Sequence, residues 1–161
     1  MLQHMHRRSF LIALAGFVVI LMAGTFSYGQ GKKKGSDNMP AEILELVNKH
    51  RAGRHLKPLQ MNALITHEAE VHSHNMATGK VEFGHDGYDE RMDRLTRKIK
   101  KSTGSAENVA YGPHTAEAVV QSWLESPGHR KNIEGDYNLT GIGIAKNASG
   151  RPYYTQIFIK N

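Results

Sequence analysis

Ser122-Trp123-Leu124-Glu125-Ser126-Pro127-Gly128-His129-Arg130-Lys131-Asn132-Ile133 is the stretch around which the rest of the chain is arranged. An apolar helical pattern ends inside it, Pro127-Gly128 reads as a turn, and His129 and Arg130 follow at once. The helix leading into it, Ala116–Glu125, has Thr115 as its cap and sets Ala118, Val119, Ser122 and Trp123 at core spacing. Two other polar islands carry matching chemistry: residues 83–87 (F-G-H-D-G) and residues 106–109 (A-E-N-V). Histidine and carboxylate together suit general acid–base work or a divalent cation. Taken singly, each has a structural reading: His85 as a turn residue, Glu107 as a partner of Arg130 or a backbone amide, His129 and Asn108 as loop-bracing side chains.

Working outward, residues 41–52 place Ile43, Leu44 and Val47 on one helical face with Arg51 beside them, after Pro40 in the first turn. Pro58 implies a short extended connection. Asn62 caps a helix over 63–78, with Leu64, Ala69, Val71, His72 and Met76 available for burial. His67-Glu68-Ala69-Glu70-Val71-His72 imitates a zinc-protease helix, but its histidines are five apart, about 140° round the helix. His67 and His74 share a face yet stand about 10 Å apart, too far for one ion. These histidines are expected at the surface or half-buried, paired with Glu68 and Glu70. Residues 88–99 form a charged helix with Met92, Leu95 and Ile99 inward, and residues 105–112 are extended.

Leu139–Lys146 and Pro152–Lys160 are β-branched and aromatic runs joined by Asn147-Ala148-Ser149-Gly150, an antiparallel hairpin. Gly141 and Gly143 alternate with Ile142 and Ile144, so one face there lacks side chains and invites close packing. Helices first and strands last make the class α+β.

The chain has 161 residues, 10 His and no Cys. Arg7 and Arg8 precede an apolar run over 10–26 and small residues before Gln30, the pattern of an export signal ending at Gly29. A retained membrane anchor is the alternative, and Arg7-Arg8 also resembles a twin-arginine signal. Residues 30–39 read as a Gly/Lys-rich linker and 40–161 as one domain, expected to be monomeric. An exported chain without cysteine has no disulfide framework. The net charge of +6 belongs to the leader and linker: all 15 acidic residues lie from Asp37 onward, and the remainder is close to neutral. That balance argues against nucleic acid. Asn138 and Asn147 fit the glycosylation sequon, but the chain reads as bacterial and they are discounted.

In order, V-N-K-H-R at 47–51, P-L at 58–59, H-S-H-N-M at 72–76, F-G-H at 83–85, A-E-N-V-A at 106–110, the quoted stretch, G-I-G-I-A at 141–145 and Y-Y-T-Q-I-F at 153–158 resemble the CAP superfamily (SCP domain; cysteine-rich secretory protein, antigen 5 and pathogenesis-related protein family), bacterial branch. The resemblance implies a three-layer α–β–α sandwich with a central antiparallel sheet and an open polar cleft. In eukaryotic members two histidines and two glutamates hold a divalent cation there. His85 and Glu107 match the first of each. Ser126 stands where the second glutamate would be and Tyr153 where the last histidine would be. The expected cation site, zinc-like, is therefore His85, Glu107 and His129. The implied function is a secreted, periplasmic or surface-tethered module that binds a lipid, an envelope glycan or a protein partner, touching membrane only through its N-terminal segment. Its alternative is a protease-like hydrolase, with His85 or His129 as base, Glu107 as orienter, and metal-bound water or Ser126 as nucleophile.

Overall fold

The computed structural model describes residues 38–161; the export signal, its cleavage point and most of the expected linker lie outside them. Helix α1 (Met39–Gly53) starts with Pro40, whose missing N–H is harmless in a first turn. It buries Ile43, Val47 and Arg51. Arg51 is 2% exposed and spends its guanidinium on backbone carbonyls of Lys57, Ile133, Gly135 and Tyr137 at 2.6–3.1 Å. One buried side chain thus ties α1 to the loop that follows it and to the stretch just before the C-terminal hairpin.

The connection at Pro58 leads into a strand too short to show a period, β1 (Gln60–Met61). Asn62 Oδ1 then accepts the amides of Leu64 and Ile65 and starts α2 (Ala63–Ala77), as expected. The buried face of α2 is Ile65, Glu68, Ala69, His72, Ser73, Met76 and Ala77. Leu64 and Val71, expected inside, are 42% and 39% exposed. The reason lies in the sheet. A Cβ on Gly141 would stand 2.2 Å from the Thr66 nitrogen, and one on Gly143 would stand 2.1 Å from the Ala69 carbonyl carbon. The helix backbone rests directly on this glycine seam. It presents the line through Ile65, Ala69 and Ser73 to the strands and leaves Leu64 and Val71 on the flank.

Helix α3 (Tyr88–Lys98) buries Met92 and Leu95, with Ile99 just beyond, and also Arg91. Strand β2 (Gly104–Tyr111) follows, then α4 (Ala116–Glu125), capped by Thr115 Oγ1 accepting the Ala118 amide. Helix α4 buries Ala116, Val119, Val120 and Trp123; Ala118 and Ser122 face solvent instead. Pro127-Gly128 is not a free turn. Ser126 ends α4 and caps α5 (Pro127–Ile133), and Pro127 opens that helix with its fixed φ. The bend between the two helices is one residue wide.

Strands β3 (Leu139–Lys146) and β4 (Pro152–Lys160) form the expected hairpin. The sheet order is β1-β3-β4-β2, antiparallel except for the short parallel β1–β3 pair. Tyr154, Phe158, Ile142 and Ala106 face α1, α4 and α5 around Trp123, while Ile157 and Ile159 face α2 and α3. The result is the α–β–α sandwich, with β2 at an edge.

Candidate functional site at the edge strand

Residues of β2 alternate between the two layers. Ala106 and Asn108 point toward α4 and α5; Ser105, Glu107 and Tyr111 point toward α2 and α3. On the first side, Asn108 is fully buried and donates from Nδ2 to the carbonyl of His129 at 3.1 Å. Asn132 Nδ2 donates to Asn108 Oδ1 at 2.9 Å and to the Glu107 carbonyl at 3.2 Å. Trp123 Nε1 donates to the Val109 carbonyl at 3.2 Å. The stretch from Trp123 to Asn132 is therefore sewn to the A-E-N-V strand by four hydrogen bonds.

On the other side the Glu107 carboxyl, 1% exposed, meets two cations or would-be cations. Arg91 grips it with two prongs, Nη2 to Oε1 at 2.8 Å and Nε to Oε2 at 3.0 Å. His85 Nδ1 lies 2.9 Å from Oε1. A carboxylate facing a guanidinium only accepts, so the shared hydrogen lies on His85 Nδ1, and in the neutral ring Nε2 is the free acceptor. The His85 side chain is 52% exposed. A solvent-facing imidazole thus rests on a buried, charge-compensated carboxylate.

The loop that carries His85 is fixed at three successive carbonyls. His72 Nε2 donates to the Gly84 carbonyl at 2.9 Å, Tyr88 N to that of His85 at 3.0 Å, and Arg91 Nη1 to that of Asp86 at 2.6 Å. Gly87 turns the chain into α3 at φ 73°, a left-handed conformation that favours glycine. Beyond, Tyr88 Oη pairs with Ser105 Oγ at 2.7 Å.

The structure brings the candidates His85 and Glu107 together; Arg130, one of the two structural partners considered for Glu107, instead donates to the Leu124 carbonyl. Sequence reasoning missed Arg91, hidden in a charged helix; His72 stood among the residues available for burial, but its expected partners were Glu68 and Glu70. His72 is 1% exposed, and Glu68 pairs with Arg94 at 2.8 Å. The signal for Arg91 was spacing: Arg91, Met92 and Leu95 share one helical face. Ser126 stands at the α4–α5 joint, with its hydroxyl bonded to no imidazole.

His129 contributes its backbone to Asn108. Burial first, then the charge of His85, holds the His129 imidazole below its ordinary pKa. The expected cation on His85, Glu107 and His129 does not fit this arrangement. Both Glu107 oxygens are already engaged and a guanidinium stands where the ion's charge would be. Among the described residues no group of three or more His, Asp or Glu side chains is placed to hold a metal.

His72 also sits below its ordinary pKa, chiefly through burial, with the Gly84 carbonyl opposing. A depressed histidine favours the neutral folded form. Its contribution is complete above the unfolded value near 6.5 and is lost as pH falls from there toward the folded value. Melting temperature should therefore drop between pH 7 and pH 5. In His72→Gln the slope of stability against pH should be shallower, by up to about 1.4 kcal/mol per pH unit. Parallel slopes in the two proteins would remove His72 from the effect.

Comparison with known proteins agrees with this architecture. Residues 44–158 match the family described as "CAP: Cysteine-rich secretory protein family". The Bacillus subtilis protein YkwD is 36% identical over 120 residues, which cover 73% of this chain and 46% of that protein. An extracellular SCP-domain protein of Bacillus anthracis superposes with a TM-score of 0.64 at 29% identity, over 78% of this chain and 41% of the other. A cysteine-rich secretory protein of Staphylococcus aureus gives 0.64 at 25%, over 80% and 41%. The chain spans less than half the length of each of these relatives. No helix among the described residues is long and apolar enough to cross a membrane. With the ordered motifs, the layered sheet and these matches in agreement, the chain belongs to the cysteine-rich secretory protein (CAP, or SCP) family, in its bacterial form.

Proposed function

We propose that this chain is an exported or surface-held binding module that seats a ligand of the cell envelope or its surroundings on the face around His85. The observation that carries this is the His85–Glu107–Arg91 arrangement. A buried ion pair holds an exposed imidazole in one tautomer and one orientation, which lowers the ordering cost of a ligand hydrogen bond. The extracellular Bacillus anthracis relative supports an outside location. The test is titration of the full-length protein with envelope lipids, glycans and peptides while following the His85 ring resonances. His85→Ala should weaken the ligand found at least tenfold, about 1.4 kcal/mol, with melting temperature nearly unchanged. A ligand that binds the variant equally well would move the seat elsewhere.

The same pair supports a second reading, hydrolysis with His85 Nε2 as general base toward a water molecule. Glu107 would keep the tautomer, and Ser126 has no part in it. Screening on peptide and ester libraries tests it. Turnover that disappears in His85→Ala would favour hydrolysis over binding, and turnover that survives would exclude this site.

A further inference from the structure

Four residues beyond Glu107 on the same side of β2 stands Tyr111, roughly 13 Å along the strand at about 3.3 Å per residue. It is 47% exposed. Its register partner on β4 is Tyr153, and the two rings stack at 5.7 Å with 22° between planes. Phe83, from the loop that also carries His85, is 47% exposed and stands edge-on to both, at 4.7 Å and 6.4 Å. The Arg151 guanidinium lies 5.6 Å over the Tyr111 ring. Its Nε and Nη groups donate no hydrogen bond within the described residues. The exposed rings of Phe83 and Tyr111 thus brace the half-buried Tyr153, topped by a cation with unused donors, and Phe83 shares its loop with His85.

We propose that Phe83, Tyr111 and Tyr153 are a stacking platform for pyranose rings, and that Arg151 meets a carboxylate on them. The ligand class is then a carboxylated polysaccharide strand. This rests on the reading of the His85 face as a ligand seat. The chemistry separates the candidates. An acyl chain gains by enclosure, and these rings are open. A sugar ring offers an apolar C–H face to an aromatic face and hydroxyls at its rim, where Arg151 and His85 supply a donor and an acceptor. A stacked guanidinium keeps its in-plane donors free for a carboxylate. Because the aromatic rings brace one another, little side-chain freedom is lost on binding.

The test uses the full-length protein with tetragalacturonate and a hyaluronan tetrasaccharide as carboxylated probes, chitotetraose as neutral probe and palmitate as apolar probe, by calorimetry and saturation-transfer NMR. Both carboxylated probes should bind with transfer from tyrosine ring protons. Tyr111→Ala should weaken them tenfold or more, Tyr111→Phe should keep them within about twofold, and amide spectra report whether either variant is folded. Arg151→Gln should weaken the carboxylated probes several-fold and leave chitotetraose unchanged. Binding of neither carboxylated probe, equal affinity for chitotetraose, or binding of palmitate alone would overturn the proposal. A ligand lost in His85→Ala yet indifferent to Tyr111→Ala and Arg151→Gln would sink the platform and leave the His85 seat standing.

Discussion

Gly143→Ala should lower stability by about 3–5 kcal/mol, beyond the usual range for one added methyl group. For a domain of this size that is roughly 10–15 °C in melting temperature. The new Cβ would lie 2.1 Å from the Ala69 carbonyl carbon, 2.2 Å from the Glu70 nitrogen and 2.3 Å from the Ala69 oxygen. All three are backbone atoms of α2, so no rotamer change relieves the clash. The helix must retreat by more than 1 Å to reach ordinary contact. Helix α2 carries Ser73, whose hydroxyl donates to the Gly143 carbonyl at 3.0 Å, and His72, which holds Gly84. The retreat should therefore loosen the His85 loop as well, visible as broadened His85 ring resonances. Gly53→Ala is the matched control: nothing lies within 4 Å of its Cβ, at the last turn of α1. It should be neutral or slightly stabilising. A loss below about 1 kcal/mol in Gly143→Ala, measured by denaturant titration, would mean that the seam is not tight.

Arg91→Met should cost about 3–5 kcal/mol, because it strands a buried carboxylate. The two-pronged pair sits at 6% and 1% side-chain exposure, where solvent cannot take over the guanidinium's role. His72 Nε2 stands 3.8 Å from Glu107 Oε1 with its hydrogen already on the Gly84 carbonyl, so it is no substitute. His85 remains the one direct partner. The double variant Arg91→Met with Glu107→Gln removes the orphaned charge and should recover most of the loss. The comparison is a double-mutant cycle read by denaturant unfolding. Additive losses would show that the ion pair is not what holds the loop.

How much of this was legible in the residues divides by the range of the forces involved. Caps, hairpin and glycine seam are local or periodic, and Asn62, Thr115 and the Gly141-Ile142-Gly143-Ile144 alternation announced them. Pro127 misled because a proline that ends one helix is equally suited to begin the next, and only Ser126 between them makes both possible. Leu64 and Val71 misled because hydrophobicity marks an apolar side chain but not which of two neighbouring faces the sheet will accept. The burial of Arg91 and the partner of His72 were hidden by a different cause. A polar side chain is buried where partners for all its donors converge, and for Arg91 those partners are the Asp86 carbonyl and the Glu107 carboxylate, 5 and 16 positions away.

The sequence by itself determined the family and the order and kind of the main elements, and it marked His85 and Glu107 as candidates, because ordered motifs and short-range periodicity survive in one dimension. Only the tertiary structure decided what Glu107 is for. It brought Arg91 across from α3 to engage both carboxylate oxygens, so that the pair presents a fixed imidazole where a cation was expected. It also set Tyr111, Tyr153 and Phe83 side by side. The register of β2 against β4 and the return of the His85 loop are long-range geometry, and no run of neighbouring residues encodes them. The quoted stretch from Ser122 to Ile133 shows the same division: its motif identified the fold, but its place in the molecule is the back of the edge strand, where Trp123 and Asn132 brace the residues that face the ligand side.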